Sequence, residues 1–284
     1  MAQISAQLVQ ELRTKTGAGM GDCKQALVEA NGDMQAAIEI LRKKGIDTAA
    51  KRSDRASNEG IISIKATDDS KTIVMVEVNC ETDFVARNQE FVNFSNLLVD
   101  VVLQNKPKTI DELLSIKVNN DTVSGLFNEI LAKFNEKIQI KRFETLTTDG
   151  FFSSYIHAGS KLAVILELNI SNPDNNTKVK IRDIAMQIAA MNPLFIDRNN
   201  VSEDVINKEK EIYREVLLKE GKNPNFLDRI IEGKLEKFYQ EKCLLEQVFV
   251  KDSSKTVTDV LNDISKNIGQ EVKVLMFKRY TLGD

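Results

Sequence analysis

The side chains able to do bond-making chemistry are few in this sequence and do not converge. There is one histidine, His157, and there are three cysteines, Cys23, Cys80 and Cys243, far apart and with no C-x-x-C pair. A single histidine and three isolated thiols do not make a zinc site. No serine or cysteine has the sequence context of a nucleophile elbow or a cysteine protease. Neither G-x-x-x-x-G-K-[ST] nor G-x-G-x-x-G occurs, so the chain shows no sign of holding a nucleotide itself. Carboxylates are abundant, but no pattern pairs them. Cys80 ends an apolar run and reads as a buried, inert thiol. The stretch that stands out is Asn79-Cys80-Glu81-Thr82-Asp83-Phe84-Val85-Ala86-Arg87-Asn88. Glu81, Thr82 and Asp83 supply acids and side-chain oxygens where a helix start wants them, with a large aromatic in the first turn. That is chemistry of contact. The sequence reads as a binding protein, not an enzyme, with no cofactor and no metal.

The flanking residues say how the stretch is held. Residues 72–78 are β-branched and apolar and read as a strand. Beyond the stretch, Phe91, Phe94, Leu98, Val101 and Val102 recur at helical spacing. Phe84 therefore sits on a strand-to-helix turn. Its direction stays open at this level: Phe84 and Phe91 are one heptad apart and could share a core face, or Phe84 could point out at a partner.

The chain of 284 residues is long enough for one large domain or two to three small ones with a proper core. A hydrophobic content of 42% and a charged content of 29% are those of an ordinary soluble protein. The net charge of -3 gives no global basic field, so nucleic acid is not expected as a direct partner. Sparse, odd-numbered cysteines fit a reducing cytosol. The first residues carry Glu11 among polar interruptions and do not read as a signal peptide. No apolar run approaches the roughly 18 residues of a membrane span. A cytoplasmic protein with no membrane contact is expected.

Residues 1–45 predict a three-helix module. Ile4, Leu8 and Leu12 share a face, with Ser5 as N-cap and Gly17 as stop. Cys23, Ala26, Leu27 and Ala30 stripe a second helix, and Met34, Ala37, Ile38 and Leu41 a third, which Gly45 is expected to end. Residues 46–59, with Lys51, Arg52 and Arg55, read as a linker. An α+β core follows: residues 60–148 hold a hairpin, helices and a further strand, and residues 149–196 begin a second cycle of hairpin then helix. Residues 197–240 read as an inserted antiparallel helical hairpin with a seam of Val205, Ile212 and Val216 beside Ile206, Tyr213 and Leu217. Residues 241–284 complete the second subdomain, with a last strand over 271–277. The two subdomains look like a structural pseudo-repeat with small antiparallel sheets.

The first module, with its glycine-bracketed Met20, resembles the ubiquitin-associated type of three-helix bundle. Leu12-Arg13-x-x-Thr16-Gly17-Ala18-Gly19-Met20, Asp22-Cys23-Lys24-x-Ala26-Leu27, Glu29-Ala30-Asn31-Gly32-Asp33 and Ala36-Ala37-Ile38-Glu39 narrow the pattern. With Asn79-Cys80-x-Thr82-Asp83-Phe84-Val85-Ala86 following at the expected separation, the whole chain resembles the bacterial elongation factor Ts family. These are the guanine-nucleotide exchange factors of the GTPase elongation factor Tu. The resemblance implies a translation factor that binds the GDP form of that GTPase and promotes exchange for GTP by distorting the Mg²⁺ and phosphate site. It makes Phe84 a wedge between two helices of the partner, Asp83 a polar contact beside it, and Thr82 and Val85 the rest of the turn. Arg13, Met20 and Lys24 stand where the family has contact residues for the same nucleotide domain. The match departs at Gly21, where some members carry a second methionine. His157 matches a position that contacts another domain of the partner; an edge-of-sheet histidine with no such role is the alternative. In the family the helical hairpin protrudes and can serve self-association. Some members add a C-terminal helical module, for which no room is expected here, so no contact of that module is carried over. The competing function is a non-catalytic three-helix adaptor for another protein partner.

Overall fold

The computed structural model describes residues 4–50, 54–134 and 136–284, with the backbone alone over 46–50. Short amphipathic stretches punctuated by glycine fold first into α1 (Ala6–Thr16), α2 (Met20–Glu29) and α3 (Met34–Ala50). The Leu8 amide donates to the Ser5 hydroxyl oxygen at 3.1 Å, capping α1. Gly17 closes it at φ 69°, donating its N–H to the Arg13 carbonyl at 2.7 Å, a conformation that a side chain resists. Val9, Leu12, Cys23, Ala26, Leu27 and Leu41 fill the small core between the three helices.

The larger body opens with the hairpin β1 (Glu59–Ala66) and β2 (Thr72–Cys80), then α4 (Asp83–Ala86), α5 (Gln89–Asn105) and α6 (Ile110–Ser115). A minor ladder, β3 (Lys117–Val118) and β4 (Asp121–Thr122), leads into α7 (Val123–Lys133) and β5 (Gln139–Thr147). A second hairpin, β6 (Phe151–Ile156) and β7 (Leu162–Leu168), precedes α8 (Asn175–Met191). The chain then projects as α9 (Glu203–Lys219) and α10 (Leu227–Lys242). It returns through β8 (Val248–Phe249), β9 (Asp252–Thr256), α11 (Val257–Ile268) and β10 (Val274–Thr281). The two main sheets, ordered β1-β2-β5 and β10-β7-β6, are antiparallel throughout. The α+β architecture with small antiparallel sheets is as expected.

Period-two alternation explains the layering. Along β2, Val74, Val76, Val78 and Cys80 face α5 and α7, while Ile73 and Met75 face the other sheet. Along β7, Val164, Leu166 and Leu168 face α8 and α11, while Ala163 and Ile165 meet Ile73 and Met75 in the middle. Both faces of both sheets are thereby covered. A bulge in β5 between the partners of Glu77 and Val78 adds one residue, and lets Ile140 and Phe143 reach the same helical side.

Three expectations are corrected. The last strand begins at Val274 and runs to Thr281, because its partner β7 sets its extent; Val272 instead enters the helical side of the core. In the hairpin the buried seam is Ile206, Tyr213 and Leu217 against Leu227, Ile231 and Leu235, whereas Ile212 and Val216 lie exposed on the outer face. Finally, Gly45 does not end its helix: α3 continues to Ala50, so the first residues assigned to a linker are helical. A Cβ on Gly45 would lie 2.8 Å from the Ala132 Cα and 2.9 Å from its Cβ, so Gly45 is where α3 crosses α7 at close range. Lys51 and Arg52 lie outside the described residues. Arg55 is engaged within the chain, its carbonyl accepting from the Lys137 ammonium at 2.8 Å.

Candidate partner-binding site

The turn after β2 is clasped by a residue far away in sequence. One carboxylate oxygen of Glu136 accepts the amides of Glu81 (3.1 Å) and Thr82 (3.0 Å), and the other accepts the Thr82 hydroxyl at 2.5 Å. Glu81 reciprocates by accepting the Lys137 amide at 2.6 Å. Thr82, extended at φ -123°, caps α4 by accepting from the Val85 amide at 3.4 Å. Beneath the turn, Val85 and Ala86 are buried in the core with Val78 and Cys80. Asp83 pairs with Arg87 at 3.0 Å along the outer surface.

With its neighbours fixed inward, Phe84 points outward and is 84% exposed. Phe91 is fully buried. The heptad relation between them does not carry across the junction, because α4 stops at Ala86 and Asn88 starts α5 afresh, accepting the Glu90 amide at 2.9 Å. An exposed aromatic on a mobile loop would carry little meaning; one on a platform held by a carboxylate and a buried Val-Ala pair is preorganised for contact. Glu136 is the residue that sequence reasoning missed. It is a lone acid beyond α7 with no local pattern to mark it. Glu136→Ala is expected to speed hydrogen exchange at the Glu81 and Thr82 amides by about tenfold or more, since hydrogen bonds to charged groups contribute roughly 1.5–3 kcal/mol. Unchanged protection there would remove the clasp from the account.

Cys80 lies under this turn and donates its S–H to the Thr82 carbonyl at 3.2 Å. Burial first, then the nearby Glu136 and Glu59, push its thiol up to about 12, so it stays protonated near neutrality. Burial raises Cys23 likewise, and Cys243 to about 11. Among the described residues no group of three His, Cys, Asp or Glu side chains is placed to hold a metal ion. Nor is any helix among them long and apolar enough to cross a membrane.

The other predicted contact residues sit on separate surfaces. Arg13 is exposed in the last turn of α1; Met20 and Lys24 are exposed one turn apart on α2, whose buried face carries Cys23 and Leu27. Val28, half-exposed, continues the Met20–Lys24 row by another turn and had no signal of its own in the sequence. A Cβ at Gly21 would meet nothing within 4 Å, so the position where the resemblance lacks a methionine is open space. His157 is exposed in the β6–β7 turn, its Nδ1 3.0 Å from the Tyr155 hydroxyl. That turn is firm: the His157 amide donates to Leu162 at 2.8 Å, and the Ser160 carbonyl accepts from Ile62 of β1 at 2.8 Å.

The Phe84 turn, the Met20–Lys24–Val28 row and the His157 turn are thus three exposed surfaces of the chain. A family model described as Elongation factor TS matches residues 81–284. Elongation factor Ts of Chloroherpeton thalassium is 44% identical over 289 residues, covering all of both chains. That of Chlorobaculum tepidum is 46% identical over 288 residues, again covering both completely. That of Clostridium perfringens is 41% identical over 283 residues, 99% of this chain and 93% of the relative. These matches make the chain a translation elongation factor. Within that class, it belongs to the elongation factor Ts family.

Proposed function

We propose that the chain binds elongation factor Tu in its GDP form and accelerates release of the nucleotide, acting in the cytoplasm without performing a chemical step of its own. The observation that carries this is Phe84, outward on a braced turn. Inserted between two helices of the GTPase, the ring would separate elements that hold Mg²⁺ and the phosphates. No catalytic group is needed. A ligand that prefers one state of its partner shifts the equilibrium toward that state by its differential affinity. By linkage, a protein that binds the nucleotide-free GTPase more tightly weakens nucleotide binding by the same factor.

Asp83 and the Thr82–Val85 turn would frame the wedge. Arg13, Met20 and Lys24, extended by Val28, would dock the bundle on the same nucleotide domain, and His157 would meet another domain. Residues 197–240 are the surface for self-association in this reading, supported by the exposed Ile212 and Val216. Stopped-flow release of fluorescent GDP from purified elongation factor Tu tests the proposal. The rate is expected to rise with concentration of this chain to saturation. A rate equal to intrinsic release at all concentrations would sink it.

A further inference from the structure

Because α3 continues past Gly45 to Ala50, the bundle is joined to the core through a helix. A docking module on a loose tether would search for its contact independently of Phe84. Instead α3 overlaps the expected tether and lies across α7, with Gly45 allowing close approach to Ala132. Three residues before the crossing, Arg42 donates to Asp121 at 2.7 Å and to the Gly125 carbonyl at 3.1 Å, and lies 3.1 Å from Glu129. Within the core, Lys133 at the end of α7 pairs with Glu90 of α5. The Lys133 stem lies against Gly17, where a Cβ would come within 2.5 Å of Cε.

The bundle and the core nevertheless remain two separately packed bodies. Their hydrophobic clusters do not merge, and a cavity of about 530 Å³ separates Ile38 and Leu41 from Phe94 and Ile130. The joint is thus held by the α3–α7 crossing, the Lys133 stem against Gly17 and a polar latch rather than by a shared core. We propose that Gly45 and Arg42 are positioning residues, which hold the three-helix bundle at a preset distance from Phe84 so that both surfaces reach one GTPase together. This rests on the function proposed above. Two contacts on one partner reinforce each other when the geometry between them is fixed in advance, since the second then forms at high effective concentration and with little ordering cost. The expected signature is a loss of apparent affinity, not of the maximal exchange rate.

The test uses the full chain labelled at Gln10→Cys and Asp149→Cys, both exposed, while the native cysteines are buried. Pulsed electron resonance between the labels is expected to give a narrow distance distribution. Gly45→Leu should broaden it and raise the concentration for half-maximal GDP release by about tenfold, with the saturating rate within about twofold of the parent. Asn262→Ala is the control, because that side chain is exposed on α11, which carries none of the proposed contact residues; neither readout should move. Arg42→Ala removes the latch and keeps the crossing, with an expected rise of about threefold, and it decides alone should Gly45→Leu fail to fold. A broad distribution in the parent, or an altered distribution with unchanged half-saturation, overturns the proposal. So does an unaltered distribution in the deciding variant. If the parent accelerates no GDP release, the proposed function falls, whereas the label distances still decide whether the joint is fixed.

Discussion

Replacing Phe84 by alanine is expected to lower the saturating rate of GDP release from elongation factor Tu by about 30-fold and to leave thermal unfolding unchanged within about 0.5 kcal/mol. Truncating a central aromatic anchor commonly costs ~2 kcal/mol or more, and each ~1.4 kcal/mol is a factor of ten. Stability should be indifferent because the ring, 84% exposed, contributes little burial. Phe84→Leu should fall between, keeping apolar volume while losing the flat ring. The contrast with the bundle is diagnostic. A wedge acts on the distorted state of the GTPase and so on the maximal rate, whereas docking residues act on the half-saturating concentration. Stopped-flow release run beside calorimetry separates the outcomes, and a destabilised variant with normal exchange would assign Phe84 to the fold.

The position of this turn was legible because a β-branched run, capping residues and a helical apolar period follow one another without a gap. The direction of its aromatic was not. Counting seven residues from Phe84 to Phe91 presumes one continuous helix, and the break at Arg87 and Asn88 cancels the presumption. Asn88 is itself a cap residue, so the break had a signal, though an i+7 pair of phenylalanines spoke against it. Glu136 had none. Its role depends on the chain returning beside the turn after the whole of α5, α6 and α7, which no local pattern encodes.

Gly45 shows the same limit in another form. A glycine after a helical stripe is read as a stop because it tolerates the left-handed conformation. Close packing against another helix asks for glycine too, and the sequence of α3 holds no information about α7. In the hairpin, two parallel stripes of apolar residues left both registers open, and only the partner α10 selected Ile206, Tyr213 and Leu217 for burial. The β5 bulge reverses the alternation between Ile140 and Phe143, so a run read as regular changes face partway along. Local patterns define the elements; which of two candidate faces is covered is a property of the neighbour.

That bulge also underlies the largest expected loss of stability. It sets Arg142 opposite Glu77, whose side chain is fully buried, and the guanidinium Nε donates to Glu77 Oε2 at 2.7 Å. Arg142 also stacks on the Tyr280 ring at 5.4 Å and points an N–H at the Thr281 carbonyl at 3.4 Å, so it ties β5 to β10 of the other sheet. Arg142→Ala leaves a carboxylate in the interior with its cation removed and is expected to cost about 3 kcal/mol, measured as the shift of the urea midpoint. The companion variant settles the cause. If the cost is an unpaired charge, removing the charge as well should return stability: Glu77→Gln/Arg142→Ala should be about 2 kcal/mol more stable than Arg142→Ala alone. If lost packing on Tyr280 were the cause, the second substitution would bring no recovery. Because β2 runs from Glu77 directly into Glu81 and Phe84, the single variant should also raise hydrogen exchange along the end of that strand, and the double variant should restore it.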